Sequence, residues 1–189
     1  MKTHTPYSIK HNSAFTLVEL LVVMAILGIL ATLITGGFKT ALMRGRDTER
    51  KSDLRQIANA LELFYHDWGY YPPASDGKIF ACPFFSDPNT CAAECRVCKW
   101  GEDEEFTDRQ TVYLKKIPKD PYVTLNYVYR LSGGSNKKFQ LFARVENPQD
   151  QDCLEGNCVV PSVPSGVTCG INVNCNFAVT STNTNATEE

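Results

Sequence analysis

The residues that could do chemistry fall into three groups. Cys91-Ala-Ala-Glu-Cys95-Arg-Val-Cys98 has the CxxxCxxC spacing that can hold an iron–sulfur cluster, and Cys82 nearby would complete a four-thiol zinc set. Asp150, Asp152 and Glu155, with Asn157, place oxygens in one short acidic turn, as a hard cation needs. Glu19 is the only charged side chain between Phe15 and Phe38, an apolar run of about 24 residues. No nucleophile stands in an evident pairing with a base, and His66 is the only histidine beyond residue 14. An enzyme is therefore not expected.

Each group has a plainer reading. A cluster needs a reducing compartment and a large α/β scaffold, neither of which 189 residues with this pattern suggests. All eight cysteines (Cys82, Cys91, Cys95, Cys98, Cys153, Cys158, Cys169 and Cys175) lie after the apolar run. An even count in loop-rich sequence beyond a membrane segment reads as disulfides in an oxidising compartment. The short spacings make Cys153–Cys158 and Cys169–Cys175 plausible local loops, and zinc stays the alternative for the first four.

The elements that must carry these residues follow from patterning. Phe15–Phe38 is long enough to cross a bilayer at about 1.5 Å per residue. Lys2 and Lys10 precede it and hold that end in the cytoplasm. The run lacks an Ala-x-Ala-like cleavage site, so it is not an ordinary secretory signal. A charge inside such a helix costs on the order of 3 kcal/mol at its centre and less near an end, so Glu19 needs a partner. Ala25, Gly28, Ala31 and Thr32 recur at three- and four-residue spacing, which lets helices approach closely. Gly36-Gly37 would weaken the helix.

Beyond it, Leu54, Ile57, Ala58, Leu61, Phe64, Tyr65 and Trp68 form one helical stripe, ended by Gly69 and Pro72-Pro73. Tyr122–Leu131 and Phe139–Glu146 alternate as two strands around the turn Ser132–Lys138. The formal net charge of −2 announces no basic face for nucleic acid.

The stretch "AFTLVELLVVMAILGILATL", Ala14–Leu33, resembles the N-terminus of the type IV pilin and type II secretion pseudopilin superfamily. "RDTERKSDLRQIANALELFYHDWGYYPP" and "YLKKIPKDP" are most similar to the major pseudopilin of type II secretion. The resemblance implies a pilin-like α+β fold: a long N-terminal helix on a small antiparallel sheet, with disulfide-rich loops. It implies a leader over 1–14, a membrane and assembly helix over 15–38 and its amphipathic continuation over 39–71. A cysteine-containing loop region follows over 72–121, then a sheet with a cysteine-rich loop over 122–180 and a flexible tail over 181–189.

It further implies cleavage between Ala14 and Phe15 by a prepilin peptidase that also N-methylates Phe15. Glu19 would then dock on the new amine of a neighbouring subunit. Ala14 stands where the family usually has Gly. The implied partners are related pilins in a filament, an inner-membrane assembly platform with its ATPase, and the lipid bilayer. The family's major member binds calcium near its C-terminal end. Here Asp150, Asp152 and Glu155 do not match that loop, and a solvated disulfide loop without metal is the preferred reading. The functional expectation is a secretion pseudopilin. The alternatives are a type IV pilus subunit, to which the long cysteine-rich C-terminal region leans, and, from another class, an uncleaved anchor carrying a binding module.

Overall fold

The computed structural model describes residues 15–82, 95–102 and 104–189, with no side chains described at 33–36. The chain divides into two units, one ending at Ala41 and the other spanning Leu42–Glu189. Helix α1 runs Leu17–Trp68. It comes in two pieces, Leu17–Thr32 and Gly37–Trp68. Among the described residues no single helix is long and apolar enough to cross a membrane. Leu17–Thr32 and Gly37–Trp68 meet that test only as a pair.

In the first unit every described side chain from Phe15 to Thr32 is exposed, including Ala25, Gly28, Ala31 and Thr32. An apolar helix surface of this extent is not left in water by a finished assembly.

In the second unit the helix is amphipathic. Leu54, Ile57, Leu61 and Phe64 are fully buried, and Ala58 nearly so. Tyr65 and Trp68 pack at the edge of the same core. The stripe expected from the 3.6-residue period is the stripe that is buried. The helix stops where Gly69, at φ +75°, donates its N–H to the Tyr65 carbonyl at 2.7 Å, a left-handed cap that suits glycine.

Against this helix lies a three-stranded antiparallel sheet in the order β10-β7-β6, with β6 at Val128–Leu131, β7 at Phe139–Ala143 and β10 at Phe177–Thr180. All of β7 is buried, Gln140 included, so burial does not alternate along it. One face belongs to the helix core. The other is covered by a second cluster in which Phe142 packs with Val167, Cys169 and Cys175.

Four expectations are corrected here. The first strand is shorter than Tyr122–Leu131, because Asp120 takes the Tyr122 N–H at 2.8 Å and Leu125 N–H turns back to the Tyr122 carbonyl at 3.0 Å. The cysteine-rich C-terminal part supplies β10 and a small hairpin of β8 (Thr168–Gly170) and β9 (Val173–Asn174). The stretch expected as loop before the sheet holds short strands: β1 (Ala74–Ser75), β2 (Lys78–Cys82), β3 (Arg96–Val97), β4 (Phe106–Thr107) and β5 (Val112–Leu114). The last residues, expected as a tail, lie against β7. The Gln140 amide donates to the carbonyls of Asn185 at 2.6 Å and Glu188 at 2.8 Å.

Candidate functional site

The N-terminal site is built by four consecutive residues. Thr16 and Glu19 cap the helix reciprocally. Glu19 N–H donates to Thr16 Oγ1 at 3.2 Å, while Thr16 N–H and hydroxyl donate to Glu19 Oε2 at 3.1 and 2.9 Å. This is a capping box, and it satisfies backbone N–H groups that the first turn leaves without partners. It also fixes the carboxylate one turn from Phe15. Among the described residues, Glu19 Oε1 accepts no hydrogen bond. Sequence reasoning treated Glu19 as a docking charge alone and missed the cap. The signal was present as Thr16-x-x-Glu19 at the head of an apolar run.

A buried charge frame then positions the globular part on the helix. Arg50 has no exposed surface. It donates two parallel bonds to Asp120, at 2.8 and 2.9 Å, and a third to Asp47 Oδ1 at 2.8 Å. Its Nη1 also lies 2.8 Å from Glu146 Oε1, and Glu146 receives Arg46 through Nε at 2.8 Å. Asp47 reaches past Arg50 to take the N–H of Glu146 at 2.8 Å and of Asn147 at 2.9 Å.

The helix thereby grips the chain just before β6 and just after β7. Burial opposes the Arg50 charge, but the bonds to Asp120 and Glu146 outweigh it and hold the guanidinium firmly protonated. The bonds from Arg46, then Arg50, hold the Glu146 carboxyl below its usual range against the cost of burial.

Two tyrosines extend this frame along the helix. Tyr127 hydroxyl donates to Asp53 Oδ2 at 2.7 Å, and Tyr113 hydroxyl donates to Asp67 and Asp108 at 3.0 and 2.8 Å. Burial, and after it the carboxylate partner, raises each phenol well above its ordinary value. Both stay neutral donors.

The cysteines are bonded pairwise. Cys82 joins Cys98, Cys153 joins Cys158 and Cys169 joins Cys175, with sulfur–sulfur distances of 2.07, 2.00 and 2.17 Å. Cys95 is also disulfide-bonded, and Cys91 lies outside the described residues. Thiols consumed in this way cannot hold a cluster or zinc.

The acidic turn does not fit a calcium ion. Lys51 Nζ donates to Asp150 Oδ1 and Oδ2 at 2.7 and 2.8 Å and to Asp152 Oδ2 at 2.7 Å. Glu155 turns away to accept from the Ser162 hydroxyl at 2.6 Å. Among the described residues no group of three or more His, Cys, Asp or Glu side chains is arranged to hold a metal.

The family described as the prokaryotic N-terminal methylation motif matches residues 9–35, the stretch that contains the capped helix start. Over most of its length the chain is similar to proteins named type II secretion system core protein G. The one from Pseudomonas aeruginosa is 31% identical over 153 residues, covering 78% of this chain and 96% of that protein. Those from Aeromonas hydrophila and Vibrio cholerae are 29% and 28% identical, over 71% and 70% of this chain and 82% and 80% of theirs. No solved structure matches the chain. The long helix on a small disulfide-tied sheet, the methylation motif and the similarity to these three proteins converge: the chain belongs to the core protein G family, the major pseudopilins of type II secretion, and is a structural subunit.

Proposed function

We propose that the chain is stored in the inner membrane by its N-terminal helix and assembles from there into a type II secretion pseudopilus that drives protein export. The N-terminus faces the cytoplasm, and the sheet domain lies outside it, in the oxidising compartment that its disulfides require. The prepilin peptidase cuts between Ala14 and Phe15 and methylates the new amine. The chain itself performs no chemistry. It is the peptidase's substrate and a part moved by the assembly platform and its ATPase, and its filament neighbours are further copies and related pilins.

The observation that carries this reading is the Thr16–Glu19 cap. It presents a fixed carboxylate, with Oε1 accepting no hydrogen bond among the described residues, at the head of an exposed apolar helix. An ammonium brought up by a neighbouring Phe15 would pair with that oxygen, and in low dielectric such a pair excludes mismatched registers. The exposed helix surface, with its small residues Ala25, Gly28, Ala31 and Thr32, becomes the packed centre of the filament.

The test is Glu19→Ala in cells that overproduce the assembly machinery. The variant is expected in the membrane fraction and absent from the sheared filament fraction. Filaments at the wild-type level would overturn the docking role.

A further inference from the structure

We propose that Lys51 closes the 147–158 turn as a built-in cation, so that the folded domain needs no divalent metal there. Lys51 projects from α1 and reaches a loop 99 residues away along the chain. Its three ammonium protons match the three carboxylate oxygens within 2.7–2.8 Å. The Lys51 and Asp150 side chains are 15% and 14% exposed, so the pair is largely withdrawn from solvent screening. The Phe177 ring lies below the ammonium, 5.5 Å from Nζ to its centroid, and gives the site an apolar floor.

The loop is anchored independently on its other side. Asn176 Nδ2 donates to the Cys158 and Val145 carbonyls at 3.0 Å each, and Leu154 N–H donates to the Asn176 carbonyl at 2.9 Å. The Cys153–Cys158 bond closes the second half of this segment.

A calcium ion needs six to eight oxygens at about 2.3–2.6 Å. Most of the side-chain oxygens here are already engaged. Asp150 Oδ1 also accepts the Asp152 N–H at 2.9 Å, and Asn157 Oδ1 accepts the N–H groups of Val159 and Val160 at 3.0 and 2.9 Å. A divalent ion placed beside the two aspartates would sit against a fixed positive charge. Charge balance and geometry both favour the lysine. The inference concerns the folded domain and does not rest on the filament reading.

The test uses the full chain in detergent micelles, with hydrogen exchange of peptides covering 147–158 read by mass spectrometry. Wild-type exchange is expected to be the same in chelator and in excess calcium chloride. Lys51→Met is expected to speed exchange of this segment on the order of tenfold, with peptides of the Leu54–Phe64 core unchanged. Adding Asp150→Asn to Lys51→Met should then cost less than Asp150→Asn costs alone. Slower wild-type exchange with calcium, or faster exchange with chelator, would overturn the proposal whether or not the variant folds. So would unchanged loop exchange in a folded Lys51→Met.

Discussion

Arg50 and Asp120 stand 70 positions apart in the chain and meet through two parallel bonds, Nε to Oδ2 at 2.8 Å and Nη2 to Oδ1 at 2.9 Å, with both side chains fully buried. A forked guanidinium–carboxylate pair of this kind sets orientation as well as distance. It pins the middle of the long 115–127 connection between β5 and β6 to the helix. Asp47 and Glu146 complete the grip on the far side.

Breaking that pair from one side is expected to be severe. Arg50→Met leaves Asp120 and Asp47 buried without their cation, and such uncompensated charges cost about 3–5 kcal/mol. Arg50→Lys keeps the charge but cannot make two parallel bonds, so a smaller loss is expected. Urea unfolding of the full chain in detergent, followed by tryptophan fluorescence, measures both. A loss under about 1 kcal/mol for Arg50→Met, the level of an exposed pair, would mean that the frame contributes little.

The carboxylates give a definite pH dependence. Glu146, through Arg46, and Asp150, despite burial and through Lys51, titrate below their usual range. Their contribution is complete above the ordinary carboxylate value of about 4 and is lost as pH falls through the lowered values. Asp53 runs the other way. Burial raises it, so at neutral pH its charge is a burden that protonation relieves. Asp53→Asn can still accept from the Tyr127 hydroxyl. The variant is expected to unfold at a higher temperature than wild type at pH 7, with the gain shrinking in acid. A variant less stable at pH 7 would contradict this.

The helix was legible because burial follows period. Leu54, Ile57, Leu61 and Phe64 sit on one stripe, and nothing in the tertiary structure competes with that pattern. The sheet was legible only in part. Tyr122-Val-Thr-Leu-Asn126 has the composition of a strand, but the Asp120 side chain takes the Tyr122 N–H and the Asn126 N–H goes to the Cys169 carbonyl at 2.8 Å. Phe177–Thr180 is four residues in a polar, cysteine-rich stretch, too short for alternation to announce it. The charge frame was invisible, because no spacing rule links Arg50 to Asp120 or Lys51 to Asp150. The pair Thr16 and Glu19 could have been found, since a capping box is local.

The cap and the docking charge can be separated. Thr16→Ala removes the two bonds made by the Thr16 hydroxyl, leaving the backbone N–H of residue 16 on Glu19, and is expected to cost about 1 kcal/mol of local helix stability while leaving filament yield largely intact. Glu19→Gln keeps an acceptor for the cap and loses the charge, and is expected to abolish assembly. Quantifying subunits in the sheared fraction checks both. Equal loss in the two variants would make capping, not charge, the reason for Glu19.

The Cys82–Cys98 bond ties β2 to β3 across 16 residues. Replacing both cysteines by alanine is expected to destabilise the sheet domain by about 3 kcal/mol, read by thermal unfolding. An unchanged midpoint would show that the paired strands hold themselves.

The most direct measurement is the N-terminal mass of the protein purified from native membranes. A chain beginning at N-methyl-Phe15 is expected, which places a positive amine one turn from the capped Glu19. Ala14→Gly should then lower any unprocessed remainder. A chain that keeps residues 1–14 intact would contradict pseudopilus assembly, because Glu19 would have no amine to meet.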